Sequence, residues 1–144
     1  MKKLLKYLNK YVLHLALLQA WSATLGSLYF SEIRGLVPCL LCWYQRILMY
    51  PLLVIFTVAF IRKDKNVAYY ALPMSLVGIL ISFYQYLLQM TPLGNVELTK
   101  CDLLNPCSKI DAIYLGFITI PFMSMIAFLV ISSLMIYIIK TNKR

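Results

Sequence analysis

Four cysteines hold the reactive chemistry of this chain: Cys39, Cys42, Cys101 and Cys107. Their spacings differ. Cys39-Leu40-Leu41-Cys42 is C-x-x-C, whereas Cys101 and Cys107 form C-x5-C in a segment containing Pro106. Such pairs can pass electrons by thiolate attack on a disulfide, through a mixed disulfide with another protein or with each other. Arg46 follows Cys42 by four residues and shares its face if the segment is helical. A cation there can stabilise a thiolate, or hold a polar oxygen of a partner dissolved in the membrane. Blander readings exist. The cysteines can be two inert structural disulfides, with three possible connectivities. They can be the ligands of a metal, although C-x5-C without a nearby His is poor zinc spacing. Arg46 can simply snorkel toward lipid headgroups.

The composition says where these residues must work. The chain has 144 residues, 62% hydrophobic and 13% charged, with mean hydropathy +0.78. Soluble domains carry about 45–50% apolar and roughly 25% charged residues. Disorder is excluded by the hydrophobicity, and a small soluble globule could not hide so much apolar surface. About 20 apolar residues cross a bilayer as a helix. Four stretches qualify: Tyr11 to Phe30, Trp43 to Ile61, Val67 to Gln89, and Ala112 to Ile139. The expectation is an all-α membrane protein, a four-transmembrane-helix bundle in a single domain over 1–144, with spans near 11–30, 43–61, 67–89 and 112–139. Helices are required because backbone polar groups must be paired inside lipid. Pro51, Pro73 and Pro121 should each bend a span locally.

The net charge of +9 is not spread evenly. Lys2, Lys3, Lys6 and Lys10 precede the first span, Arg62, Lys63 and Lys65 lie between the second and third, and Lys140, Lys143 and Arg144 end the chain. Four spans place these three clusters on one side. Positively charged flanks mark that side as cytoplasmic, so both termini are expected there. No basic face suited to nucleic acid remains. All four cysteines then fall in the two outward connections, where disulfides persist. The expected location is a cell membrane, multi-pass, with the redox cysteines extracytoplasmic.

A helix N-terminus favours an anion, so a C-x-x-C opening the second helix has a reason to be reactive. Two electrons collected by such a pair must leave it. A lipid-soluble two-electron acceptor such as a quinone can reach the membrane boundary.

Pro38-Cys39-Leu40-Leu41-Cys42-Trp43-Tyr44-Gln45-Arg46 resembles the DsbB family of disulfide bond formation proteins, in particular its short BdbC-type members. Gly26-Ser27-Leu28-Tyr29-Phe30-Ser31-Glu32-Ile33-Arg34, the run Arg46-Ile47-Leu48-Met49-Tyr50-Pro51, and Gly116-Phe117-Ile118-Thr119-Ile120-Pro121 extend the resemblance over essentially the whole chain. The resemblance implies an enzyme that reoxidises an exported thioredoxin-like thiol oxidase and passes electrons to a membrane quinone, menaquinone or ubiquinone. It makes Cys39 and Cys42 the quinone-linked pair, with Cys42 facing the quinone and Arg46 beside it. Cys101 matches the cysteine joined to the partner, and Cys107 the one that resolves onto Cys39.

One position departs from the pattern. Short members often carry a His on the third helix, and here Phe83-Tyr84-Gln85-Tyr86 places Gln85 there. Glutamine donates hydrogen bonds but cannot deliver a proton as imidazolium does. Gln85 and Gln89 can equally serve as interhelical glue. His14, the only histidine, is expected to be packed or interfacial, far from the cysteines. Two rivals follow: a quinone reductase of the vitamin K epoxide type, whose C-x-x-C usually lies near the end of the bundle, and a membrane scaffold or metal-binding protein with structural disulfides.

Overall fold

The computed structural model describes residues 2–64, 66–91, 113–114 and 118–142. Its elements run α1 (Lys2–Leu28), a π-helical turn (Tyr29–Ile33), α2 (Leu40–Arg62), α3 (Val67–Met90), β1 (Ile113–Tyr114), β2 (Ile118–Thr119) and α4 (Ile120–Asn142). The two short strands pair antiparallel, Ile113 with Thr119 and Tyr114 with Ile118. The fold is all-helical apart from that hairpin. Of the described helices, α2, α3 and α4 are long and apolar enough to cross a membrane. The apolar part of α1 is interrupted by His14, Gln19, Ser22, Thr24 and Ser27.

Side-chain contacts give the helix directions. His14 near the start of α1 meets Phe60 near the end of α2, ring centroids 4.6 Å apart. Gln45 early in α2 bonds Gln85 late in α3 at 2.7 Å. Ser75 early in α3 bonds Ser132 late in α4 at 2.8 Å. Successive helices are therefore antiparallel. Each packs on its two neighbours in a closed ring α1–α2–α3–α4.

The core inverts the soluble pattern. Large apolar side chains such as Leu80, Phe83, Ile47 and Val54 face outward, while Gln45, Ser75, Ser82, Gln85 and Ser132 are buried. Lipid rewards this arrangement. Small residues let helices approach, and polar groups pair across the interface. The inner stripe of α3 shows both devices at helical spacing: Ala71, Ser75, Gly78, Ser82, Gln85. The Ser82 hydroxyl donates to the Gly78 carbonyl at 2.8 Å and lies 3.4 Å from Ser124 Oγ on α4.

Gly78 is where α3 and α4 touch most closely. A Cβ there would stand 2.5 Å from Cε1 of Phe128. Phe128 is fully buried and its ring has no room to retreat. We expect Gly78→Ala to destabilise the bundle by roughly 1–3 kcal/mol, the usual cost of overpacking. Thermal unfolding in detergent checks this, and Phe128→Leu in the same chain should restore part of the loss.

The ends of the elements depart from the sequence expectation. The second helix opens at Leu40, three residues before the expected Trp43, because Cys39 takes the N-cap with extended backbone. The fourth helix begins at Ile120, eight residues after the expected Ala112, with the hairpin before it. Pro121 thus sits in the first helical turn, where its missing N–H costs nothing, and the bend expected there has no cause. Pro51 and Pro73 do lie inside α2 and α3.

The α2–α3 turn is built by Lys63 in the left-handed region, φ 53°, with the Asp64 N–H donating to the Ala59 carbonyl at 3.0 Å. The Asp64 carboxyl accepts from the Tyr70 hydroxyl and from the Asn66 N–H. These bonds, the tyrosine's first, hold it below the usual carboxylate range. Their contribution is present above the ordinary carboxylate pKa and fades as pH falls through the lowered one.

Candidate functional site

The site begins with how the chain turns between α1 and α2. The π-helical turn ends with the Arg34 N–H donating to Tyr29 O at 3.2 Å and the Leu36 N–H to Phe30 O at 3.1 Å. Gly35 adopts φ +64°, a conformation that costs other residues a steric clash. The segment from 36 to 39 then runs without helix into the N-cap of α2. Pro38 favours extended backbone in the residue before it.

Cys39 caps α2 and Cys42 is the third residue of the helix. The first helical bond joins the Trp43 N–H to the Cys39 carbonyl at 3.1 Å. One turn brings the two sulfurs together: Cys39 Sγ donates to Cys42 Sγ at 3.1 Å. A disulfide needs about 2.05 Å, so a small rotation of the side chains closes the bond. Both residues are half-buried. They lie at the N-terminus of α2, the positive end of its dipole.

A third group meets the sulfurs. Gln85 Nε2 donates to Cys39 Sγ and to Cys42 Sγ, both at 3.2 Å. Its carbonyl oxygen accepts from Gln45 Nε2 at 2.7 Å. Gln85 is 1% exposed. The carboxamide is thus interhelical glue and a sulfur ligand at once. The sequence pointed to position 85 but not to the sulfurs, because 43 residues separate it from Cys42.

Arg46 lies one turn beyond Cys42, as the spacing requires. It does not hydrogen-bond a sulfur. Its Nη2 donates to the Ser27 carbonyl on α1 at 3.0 Å, and its guanidinium stands 5.7 Å from the Trp43 ring centroid. The long side chain reaches across to the neighbouring helix, and the thiols receive their hydrogen bonds from Gln85.

Beside these groups is a cavity of about 320 Å³, walled by α1, the chain around Pro38, α2 and the start of α4. Cys42, Gln45 and Arg46 line it, together with apolar Val37, Met49 and Met123. Cys39 does not line it. The pair is therefore asymmetric, with Cys42 toward the cavity and Cys39 behind. Trp43 and Tyr44 are about half exposed on the outer face and do not line the cavity either. Tyr50 does line it, and its hydroxyl is buried with no hydrogen-bond partner among the described residues.

Cys101 and Cys107 lie outside the described residues. His14 is where the sequence reading put it, packed edge-on against Phe60. Phe60 follows Cys42 by 18 residues along α2, about 27 Å.

The model of the family "Disulfide bond formation protein DsbB" matches residues 9–138. The chain belongs to the DsbB family. A "Probable disulfide formation protein" of Oceanobacillus iheyensis is 46% identical over 144 residues, covering 100% of this chain and 99% of that one. "Disulfide bond formation protein C" of Bacillus subtilis is 51% identical over 109 residues, covering 76% of this chain and 78% of its own. A "Probable disulfide formation protein" of Coxiella burnetii is 46% identical over 132 residues, 91% of this chain and 89% of that protein. No solved structure matches significantly. The BdbC-type resemblance holds in the Bacillus relative. Membership of the DsbB family, with helices able to cross a membrane, makes this a multi-pass membrane oxidoreductase of disulfide formation.

Proposed function

We propose that this DsbB-family protein is a quinone-linked thiol-disulfide oxidoreductase that reoxidises an exported thioredoxin-like thiol oxidase. The observation that carries the quinone reading is the placement of the Cys42 thiol and the Arg46 guanidinium on the wall of one cavity of about 320 Å³. Small-molecule sites have volumes of about 300–1,000 Å³, mostly apolar walls and a few placed polar groups. The donor set also fits, since a quinone presents carbonyl oxygens that accept hydrogen bonds and Arg46 is a permanent donor with five N–H groups. Arg46 and Cys42 would hold the group. When bound, a quinone supplies the capacity to take up two electrons and two protons.

The residues of the chain do the rest. A partner thiolate attacks Cys101, in the segment between α3 and α4, breaking the Cys101–Cys107 bond and forming a mixed disulfide. The freed Cys107 attacks Cys39 and opens the Cys39–Cys42 bond. The partner's second thiol breaks the mixed disulfide and leaves as a disulfide. Cys101 then attacks Cys107, re-forming Cys101–Cys107 and leaving Cys39 and Cys42 reduced. Cys39 exchanges with the loop and Cys42 hands electrons into the cavity. In each exchange one disulfide breaks and one forms; the partner leaves as a disulfide, and its two electrons and two protons pass to Cys39 and Cys42.

This reading counts α1 as a fourth span in one membrane domain. It places the N-terminus, the 62–66 turn and the C-terminus in the cytoplasm and the cysteines outside. The basic clusters support that orientation. A membrane-impermeant thiol reagent applied to reduced, intact cells should label the cysteines. Labelling only by reagents admitted to the cytosol would overturn the orientation.

The function itself is tested with purified protein, a quinone and a reduced thioredoxin-like oxidase. Quinone should be consumed one for one with partner dithiol. No turnover would leave the scaffold reading. Cys107→Ser should accumulate partner adducts through Cys101, and adducts through Cys39 would reverse the order of the two pairs.

A further inference from the structure

We infer that the buried Gln45–Gln85 carboxamide pair is a positioning device that holds two N–H donors on the Cys39–Cys42 sulfurs and makes that pair more oxidising. This deepens the proposed function and rests on Cys39–Cys42 being a redox pair.

The argument is one of orientation. A primary carboxamide has one carbonyl oxygen and one NH2 group, and a lone buried glutamine can flip between them. Gln45 biases the choice: its Nε2 donates to Gln85 Oε1 at 2.7 Å, which sets the Gln85 oxygen toward Gln45 and its NH2 toward the thiols. That NH2 carries two hydrogens, and two sulfurs stand at 3.2 Å. Each hydrogen has one acceptor. Both glutamines are buried, 6% and 1% exposed, so water does not compete for these positions. The arrangement crosses from α2 to α3, which ties the sulfur environment to the register of the two helices.

Hydrogen bonds to an ionised acceptor are roughly twice as strong as those between neutral groups. A thiolate gains more from the amide than a disulfide sulfur does. The reduced pair is therefore favoured over the oxidised pair, and a couple whose reduced form is stabilised is the stronger oxidant. Such a pair accepts electrons readily from the loop cysteines.

The test is a redox titration of the full-length chain in lipid and detergent, with Cys101 and Cys107 replaced by serine so that only Cys39–Cys42 responds. The reaction read is the disulfide plus two glutathione thiols giving the dithiol plus oxidised glutathione. Gln85→Glu keeps the shape and the link to Gln45 but turns an oxygen toward the sulfurs. Gln85→Leu removes the donors altogether. Both should lower the equilibrium constant for reduction by tenfold or more, about 30 mV for a two-electron couple. Gln45→Leu should shift it in the same direction by less, because Gln85 is then free to flip. The pH profile of iodoacetamide alkylation of Cys42 should move upward in all three. A merely structural pair would move neither readout.

If the unsubstituted pair titrates and Gln85→Glu and Gln85→Leu titrate at the same ratio, the inference is overturned and the proposed function stands. If the unsubstituted pair does not titrate at all, the proposed function falls and takes this inference with it.

Discussion

If the Cys39–Cys42 pair reduces a quinone as proposed, Cys42→Ser should lower quinone reduction by about 10³-fold or more, the scale expected when a nucleophile is lost. The hydroxyl of serine is far less acidic than a thiol and cannot form a disulfide, so neither closing nor opening of the Cys39–Cys42 bond remains. The helix should be undisturbed, since serine is smaller and position 42 is only half-buried. The discriminating measurement is the partner half-reaction. Cys101 and Cys107 are intact, so a single-turnover exchange with a reduced thioredoxin-like oxidase should survive at close to one equivalent. Cys39→Ser should also stop turnover. Yet Cys42 would still face the cavity in that variant, because it alone of the two lines it. A quinone-dependent absorbance change upon reduction in Cys39→Ser, absent in Cys42→Ser, would follow from that asymmetry. Equal behaviour of the two variants in every half-reaction would remove the distinction.

Under the same proposal, Arg46→Ala should weaken quinone use by roughly 10–100-fold, the loss of a hydrogen bond from a charged donor worth about 1.5–3 kcal/mol. The effect should fall on the quinone KM and rate, not on exchange with the partner. Arg46 lines the cavity, and its bond to the Ser27 carbonyl holds α1 against α2. Part of the loss can therefore come from a looser cavity wall. Arg46→Lys separates the two contributions. Lysine keeps the charge but not the planar fork. A charge-dominated role predicts near-normal quinone use with lysine, and a role in bridging α1 predicts loss with both variants together with a lower unfolding temperature. Equal loss of the quinone and partner half-reactions in Arg46→Ala would count against the assignment.

Much of the site was legible in the chain because its parts are local. Cys39, Cys42 and Arg46 fall within eight residues, and helical spacing alone puts Cys42 and Arg46 on one face. Gly35 and Pro38 mark the break that lets a helix begin beside Cys39. The same string carried the family resemblance that the comparisons establish. Residues that meet across helices were harder to read. Position 85 stands out because short members of the family often carry a His there, but nothing in the sequence says which way an amide 43 residues from Cys42 will point. The start of the fourth helix was harder to read for a similar reason: Ile113 and Tyr114 are apolar enough to continue a helix, yet they pair as a strand with Ile118 and Thr119.

By itself the sequence determined that this is an apolar helical chain of four long stretches, with its charges gathered at three places and two cysteine pairs between them. Those conclusions follow from transfer free energies and helix periodicity, which act residue by residue. Only the tertiary structure decided that the Gln85 amide grips both sulfurs, that Arg46 reaches Ser27 instead of a thiol, and that Cys42 but not Cys39 borders the cavity. Each depends on the rotation and register of one helix against another. Those are set by small contacts such as Gly78 on Phe128 and Ser75 on Ser132, summed over the whole bundle, and no local pattern encodes them.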